Sequence, residues 1–154
     1  MVKLARSIKF KSLKETTEES DGLRILIALY RPRYLPKYKE NWDDWWKELA
    51  PSRSLWKEYL KEKKIDWEEY SSRYTWEIQN NPEAVKTLRT LSAFINDDMK
   101  KNHTQQQQQQ QQKQQLYNHH SQIQEYNIVT LLCHCIDDKY CHRSIVKGLL
   151  FEFT

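Results

Sequence analysis

Two short apolar runs, LRILIALY at Leu23–Tyr30 and IVTLLCHC at Ile128–Cys135, constrain the fold of this 154-residue chain more than any other feature. Both are rich in β-branched residues and too short for buried helices. That is the composition of strands covered on both faces. The segments between them read as helices, and two buried strands joined through helices predict a parallel crossover. The expected class is therefore α/β: a small, mostly parallel sheet with flanking helices in a single domain. A further edge strand is predicted near Ser7–Ser12, where Ile8 and Phe10 alternate with Lys9 and Lys11.

Four helices are predicted between the runs. The segment Glu40–Leu49 places Trp42, Trp45, Trp46 and Leu49 at helical spacing, and Ala50-Pro51 stops it. Ser52 caps a second helix from Arg53 to about Glu62, with Leu55, Trp56, Tyr59 and Leu60 on its apolar face. Asp66 and Glu69 have capping-box spacing for a third, striped by Trp67, Tyr70, Tyr74 and Ile78; Trp76 falls off that stripe. Asn81-Pro82 starts a fourth, lined by Ala84, Val85, Leu88, Leu91 and Ile95.

Residues 97–126 break this pattern with a glutamine-rich, low-complexity stretch that has little apolar material to bury. It is expected to be a disordered, solvent-exposed insertion that splits one domain into residues 1–96 and 127–154. Its three lysines balance Asp97, Asp98 and Glu125, so the formal charge of +4 belongs to the rest of the chain. That charge is mixed along the sequence and gives only a mild bias toward anionic partners.

Several functions are disfavoured. No GxGxxG or GxxxxGK pattern occurs, so dinucleotide and P-loop nucleotide binding are not expected. No run approaches the roughly twenty apolar residues of a membrane span. The start MVKLARSIKFKSLK lacks the apolar core of a secretory signal, and the three cysteines are odd in number. A cytoplasmic, reducing location follows as the expectation, with no membrane partner.

The reactive side chains concentrate in Ile128–Leu150, which reads as a strand, a polar loop with Asp137 and Asp138, and a helix starting near Tyr140 or Cys141. Cys141 falls at the helix start, where free backbone N–H groups and the dipole favour an anion, and His142 and Arg143 add positive charge. This makes Cys141 the nucleophile candidate. Period two places Cys133 and Cys135 on one strand face, as small buried hydrophobes. Cys133, Cys135, Cys141 and His142 total four soft ligands, but a CxC pair on a strand is expected to aim its sulfurs poorly at one ion, so no metal is predicted. His134-Cys135 with Arg143-Ser144 has the order of a cysteine-phosphatase loop. The spacing is too long, and two aspartates would repel a phosphate.

The runs Glu48–Ser52, Trp67–Tyr74, Asn81–Ala84 and Val129–Ser144 resemble the YeaO-like group of the domain of unknown function 488 family in order and spacing. The resemblance implies a small prokaryotic cytoplasmic protein and names no reaction. The family's arginine and aromatic-proline-arginine-glycine run after the first strand corresponds here to Leu29–Tyr34. Pro32 and Arg33 are kept, while Leu29, Arg31 and Tyr34 depart from it. The Cys141-His142-Arg143 triplet is intact.

The expected function is thus thiol-dependent enzyme or redox chemistry on a small anionic substrate. Cys141, His142 and Arg143 are the catalytic candidates, and Arg33, Arg31 and Tyr30 the substrate-binding ones, with no cofactor. The two groups meet only if both apolar strands are parallel neighbours. The alternative is a non-catalytic binding module for nucleic acid or a protein partner, drawing on the basic charge and the many Trp and Tyr residues.

Overall fold

The computed structural model describes residues 5–96, 119–135 and 139–152. Most of the predicted glutamine-rich insertion, and the loop aspartates Asp137 and Asp138, lie outside the described residues. Four strands, β1 Ser7–Ser12, β2 Leu23–Leu26, β3 Asp44–Trp45 and β4 Ile128–Cys133, form one sheet in the order β1-β4-β2-β3. All neighbours are parallel, with Leu23 opposite Val129 and Leu26 opposite Leu132. The two apolar runs are therefore adjacent and end at the same sheet edge, and the α/β class holds.

Side-chain alternation along the strands explains the core. Leu23, Ile25 and Ile27 of the first run, with Val129 and Leu131 of β4, join the main apolar cluster. Leu26, Ala28 and Leu132 turn to a second, smaller one that also contains Leu13, Cys133 and Cys141. The main cluster is roofed by α2 Trp67–Gln79 and α3 Pro82–Asn96, which follow the helical turns of α1 Arg53–Trp56 and Lys57–Lys61. Asp66 accepts from the Glu69 N–H at 2.9 Å, the predicted cap of α2, and Tyr70, Tyr74 and Ile78 are its buried stripe. Trp76 stands 65% exposed, as its position off that stripe implies. In α3 the buried positions are Ala84, Thr87, Leu88, Leu91, Ser92 and Phe94; Ile95, expected to line the core, faces outward.

The largest departure from the sequence reading lies in WDDWWKEL. Instead of a helix, Asp44–Trp45 pair with β2 and a 3₁₀ turn follows at Lys47–Leu49. The open edge of β2 decides this, because its buried backbone groups need partners. The Asp43 N–H donates to the Arg24 carbonyl at 2.7 Å and the Trp46 N–H to Leu26 at 2.8 Å. Strand geometry then sends Trp46 into the main cluster, while Trp45 packs with Trp42 against the smaller one.

A second difference concerns the end of the predicted insertion. His119–Ile123 form a short helix, α4, that packs into the fold. Ile123 is fully buried, the His119 ring stacks on Trp46 at 3.9 Å, and the same imidazole contacts the Glu48 carboxylate. The final helix, α5, runs His142–Glu152 with Val146, Leu149 and Leu150 in the main cluster. Among the described residues no helix is long and apolar enough to cross a membrane.

Candidate functional site: a cysteine cluster at the sheet edge

The carboxyl ends of parallel strands leave a crevice where α/β proteins place their chemistry. In this chain β4 ends there at Cys133, and its backbone carbonyl accepts from the Leu13 N–H at 2.9 Å. Because the ladder stops at that point, Cys135 is released from strand alternation and its sulfur curls back. The Cys133 thiol donates to the Cys135 sulfur at 3.9 Å, and the sulfurs of Cys133, Cys135 and Cys141 all lie within 4.8 Å of one another. The expectation that a CxC pair on a strand would aim its sulfurs poorly at one point is thus corrected: Cys133 is the last residue of β4 and Cys135 lies beyond it. All three thiols are free, with Cys133 and Cys141 buried and Cys135 half-buried.

Cys141 immediately precedes α5, and its carbonyl accepts from the Ser144 N–H at 3.0 Å and the Ser144 hydroxyl at 2.8 Å. His142 is buried directly beneath it. Its Nδ1 lies 3.7 Å from the Cys141 sulfur and 3.8 Å from the Cys133 sulfur. Its other nitrogen, Nε2, is 2.8 Å from the Ile27 carbonyl just past β2. A carbonyl only accepts, so Nε2 carries the hydrogen and Nδ1 is the nitrogen offered to the sulfurs. The Tyr74 ring meets the imidazole edge-on at 5.6 Å and closes the site from the helix side.

The three thiols titrate as one unit. Hydrogen bonds from Cys133 and Cys135, followed by the adjacent His142, hold Cys141 far below the ordinary thiol range despite its burial. Its neighbours keep their protons. For Cys133, the hydrogen bond with Cys135 pulls downward but is outweighed by the bond to Cys141 and by burial, so the thiol is pushed up to about 12. Cys135 is raised by its bonds to Cys133 and Cys141 and by burial. Burial pulls His142 down, but contact with the Cys141 sulfur outweighs it and the net shift is upward. Both shifts, downward at Cys141 and upward at His142, favour passing the Cys141 proton to His142.

Arg143, the third member of the triplet, is 1% exposed and donates to the Cys135 carbonyl at 2.8 Å, tying the helix start to the cysteine loop. The arginine loop is brought to the same edge. His134 Nε2–H donates to the Tyr30 carbonyl at 2.6 Å, and the Tyr30 ring packs edge-on against Trp56. Arg31 pairs with Glu40, while Arg33 is exposed and makes no hydrogen bond or ion pair among the described residues. Tyr30 therefore adjoins the cysteine loop, whereas the Arg31 charge is already engaged. The Ile27 carbonyl escapes the sequence reading, and Tyr74 enters it only as part of the helix stripe, since neither a backbone acceptor nor a core tyrosine carries a local signal of a site.

Residues 8–100 match the family model described as the active DUF488-N3 subclade; the span includes the Arg31–Arg33 loop and ends before the cysteines. The uncharacterized protein YeaO of Escherichia coli (strain K12) is 30% identical over 86 residues, covering 56% of this chain and 74% of that protein. No solved structure matches the chain significantly.

Proposed function

The chain belongs to the DUF488 family, in its YeaO-like group, and from that premise we propose that it is a thiol-dependent enzyme in which Cys141 is the nucleophile and His142 its base. The observation that carries this reading is the chain of contacts from the Cys141 sulfur to His142 Nδ1, 3.7 Å, and from Nε2 to the Ile27 carbonyl, 2.8 Å. A nucleophile, a base within reach and a third group that fixes the base's tautomer is the arrangement activated nucleophiles share. The Cys141 proton passes to Nδ1. The sulfur then bonds to an electrophilic centre, and the leaving group departs with the electron pair of the broken bond. The substrate class is a small anion, drawn to the exposed Arg33 on the loop whose Tyr30 carbonyl meets His134 of the cysteine loop, with Arg31 joining only if it leaves Glu40.

The test is iodoacetamide labelling of the reduced, chelator-treated protein at neutral pH, read cysteine by cysteine by mass spectrometry. Cys141 is expected to label first, and His142→Ala to slow it by about tenfold or more. Equal labelling of all three cysteines, or a His142→Ala protein that labels as fast as the parent, overturns the proposal.

A further inference from the structure

Three thiols, two of them buried and one half-buried, meeting an imidazole nitrogen is more than a nucleophile and base require. Cys133 and Cys135 have no part in the proposed transfer, yet both sulfurs face Cys141. We infer that Cys133, Cys135, Cys141 and His142 form a tetrahedral site for a soft divalent cation of the zinc type. The inference rests on the reading of Cys141 as the reactive thiol and adds its regulation: a bound ion would hold that sulfur and leave no open position.

The separations agree with the edges of such a coordination polyhedron. With metal–sulfur bonds of about 2.3 Å and metal–nitrogen bonds of about 2.0–2.1 Å, a tetrahedron has sulfur–sulfur edges of about 3.8 Å and sulfur–nitrogen edges of about 3.6 Å. The Cys133–Cys135 sulfurs are 3.9 Å apart, and His142 Nδ1 lies 3.8 Å and 3.7 Å from the sulfurs of Cys133 and Cys141. The sulfurs of all three cysteines lie within 4.8 Å of one another, so small side-chain shifts would complete the polyhedron.

A second observation is independent of the sulfurs. Metal-binding histidines commonly donate their other ring N–H to a carbonyl or carboxylate, which fixes the ring and leaves one lone pair for the metal. His142 has this arrangement, with Nε2 on the Ile27 carbonyl and Nδ1 toward two sulfurs. Three thiolates around a divalent ion leave a net negative charge, and the buried Arg143 guanidinium, bonded to the Cys135 carbonyl, supplies a compensating cation. Loading would release the thiol protons to solvent.

The experiment titrates the full chain, reduced and stripped with a chelator, with cobalt(II) and then zinc(II). The expected result is one cobalt per chain, with sulfur-to-cobalt charge-transfer absorption in the near ultraviolet and strong tetrahedral bands in the visible, both abolished by zinc. Cys135→Ser removes one of three thiolates and should cost about a third of the charge-transfer intensity. Zinc should also suppress labelling of Cys141. A parent protein whose cobalt stays pale and six-coordinate, with no charge-transfer band, overturns the metal site whatever the variants do. Cobalt binding together with slow labelling of Cys141 in the stripped protein would leave the metal site standing and remove the nucleophile, so the two readings fail separately.

Discussion

Gly22→Ala is expected to destabilise the protein severely, because Gly22 stands where β2 begins and touches the start of β4. Its φ of 62° and ψ of −131° belong to a region that residues with a Cβ rarely occupy. A Cβ built there would lie 2.0 Å from the Ile128 carbonyl oxygen and 2.8 Å from its carbon. The obstacle is backbone, so no rotamer relieves it, and the strands must part by roughly 1 Å to restore van der Waals contact. Such a shift pulls on the hydrogen bond from the Thr130 hydroxyl to the Asp21 carbonyl, 2.6 Å, and on the Leu23–Val129 register. The dihedral strain costs about 1–3 kcal/mol and the enforced shift about 1–3 kcal/mol more. Together these are about 2–6 kcal/mol out of a total stability of typically 5–15 kcal/mol. Urea unfolding followed by circular dichroism gives the difference directly, and in a heat scan each kcal/mol should lower Tm by roughly 2–4 °C. A loss below about 1 kcal/mol, the size of an ordinary substitution, would refute the reasoning.

Asp21 offers a test with a pH signature. Its buried carboxylate meets Lys11 at 3.0 Å, Arg24, and the Glu18 N–H at 3.1 Å; burial alone would raise its pKa, but these partners hold it below the usual carboxylate range. Asp21→Asn should cost about 3 kcal/mol or more at neutral pH by leaving the Arg24 charge uncompensated. Since the folded pKa is depressed, the carboxylate's contribution is present above the unfolded value of about 3.9 and lost as pH falls through the folded one. Urea midpoints measured down through pH 4 should therefore fall more steeply for the parent than for the variant, and parallel curves would contradict this. Tyr74→Phe removes the donor to the buried Leu49 carbonyl, a 2.6 Å bond, and should cost about 1–3 kcal/mol in the same assay. No change would mean that the carbonyl finds another donor.

Where burial and local chemistry agree, the chain is legible. Asp66 before Trp67 and Asn81 before Pro82 mark helix starts that form as read, and the stripe Tyr70, Tyr74, Ile78 is buried as spaced. The three tryptophans of WDDWWKEL mislead because their helical spacing is also compatible with alternate faces of a strand, and the vacant edge of β2 lies outside any local window. The cysteine cluster misleads in the same way. Period two holds only while the ladder lasts, and where β4 stops is set by pairing with β1 and β2.

The sequence by itself determined the α/β class, the two apolar runs as core strands, and Cys141, His142 and Arg143 as the residues at the head of the last helix. These follow from composition and spacing within a few turns of chain. Only the tertiary structure decided that three sulfurs converge, that His142 turns Nδ1 toward them because Ile27 engages its other nitrogen, and that Arg143 is buried as a clamp on Cys135. Each of those depends on groups far apart in the chain, and only the pairing of β2 with β4 brings them together.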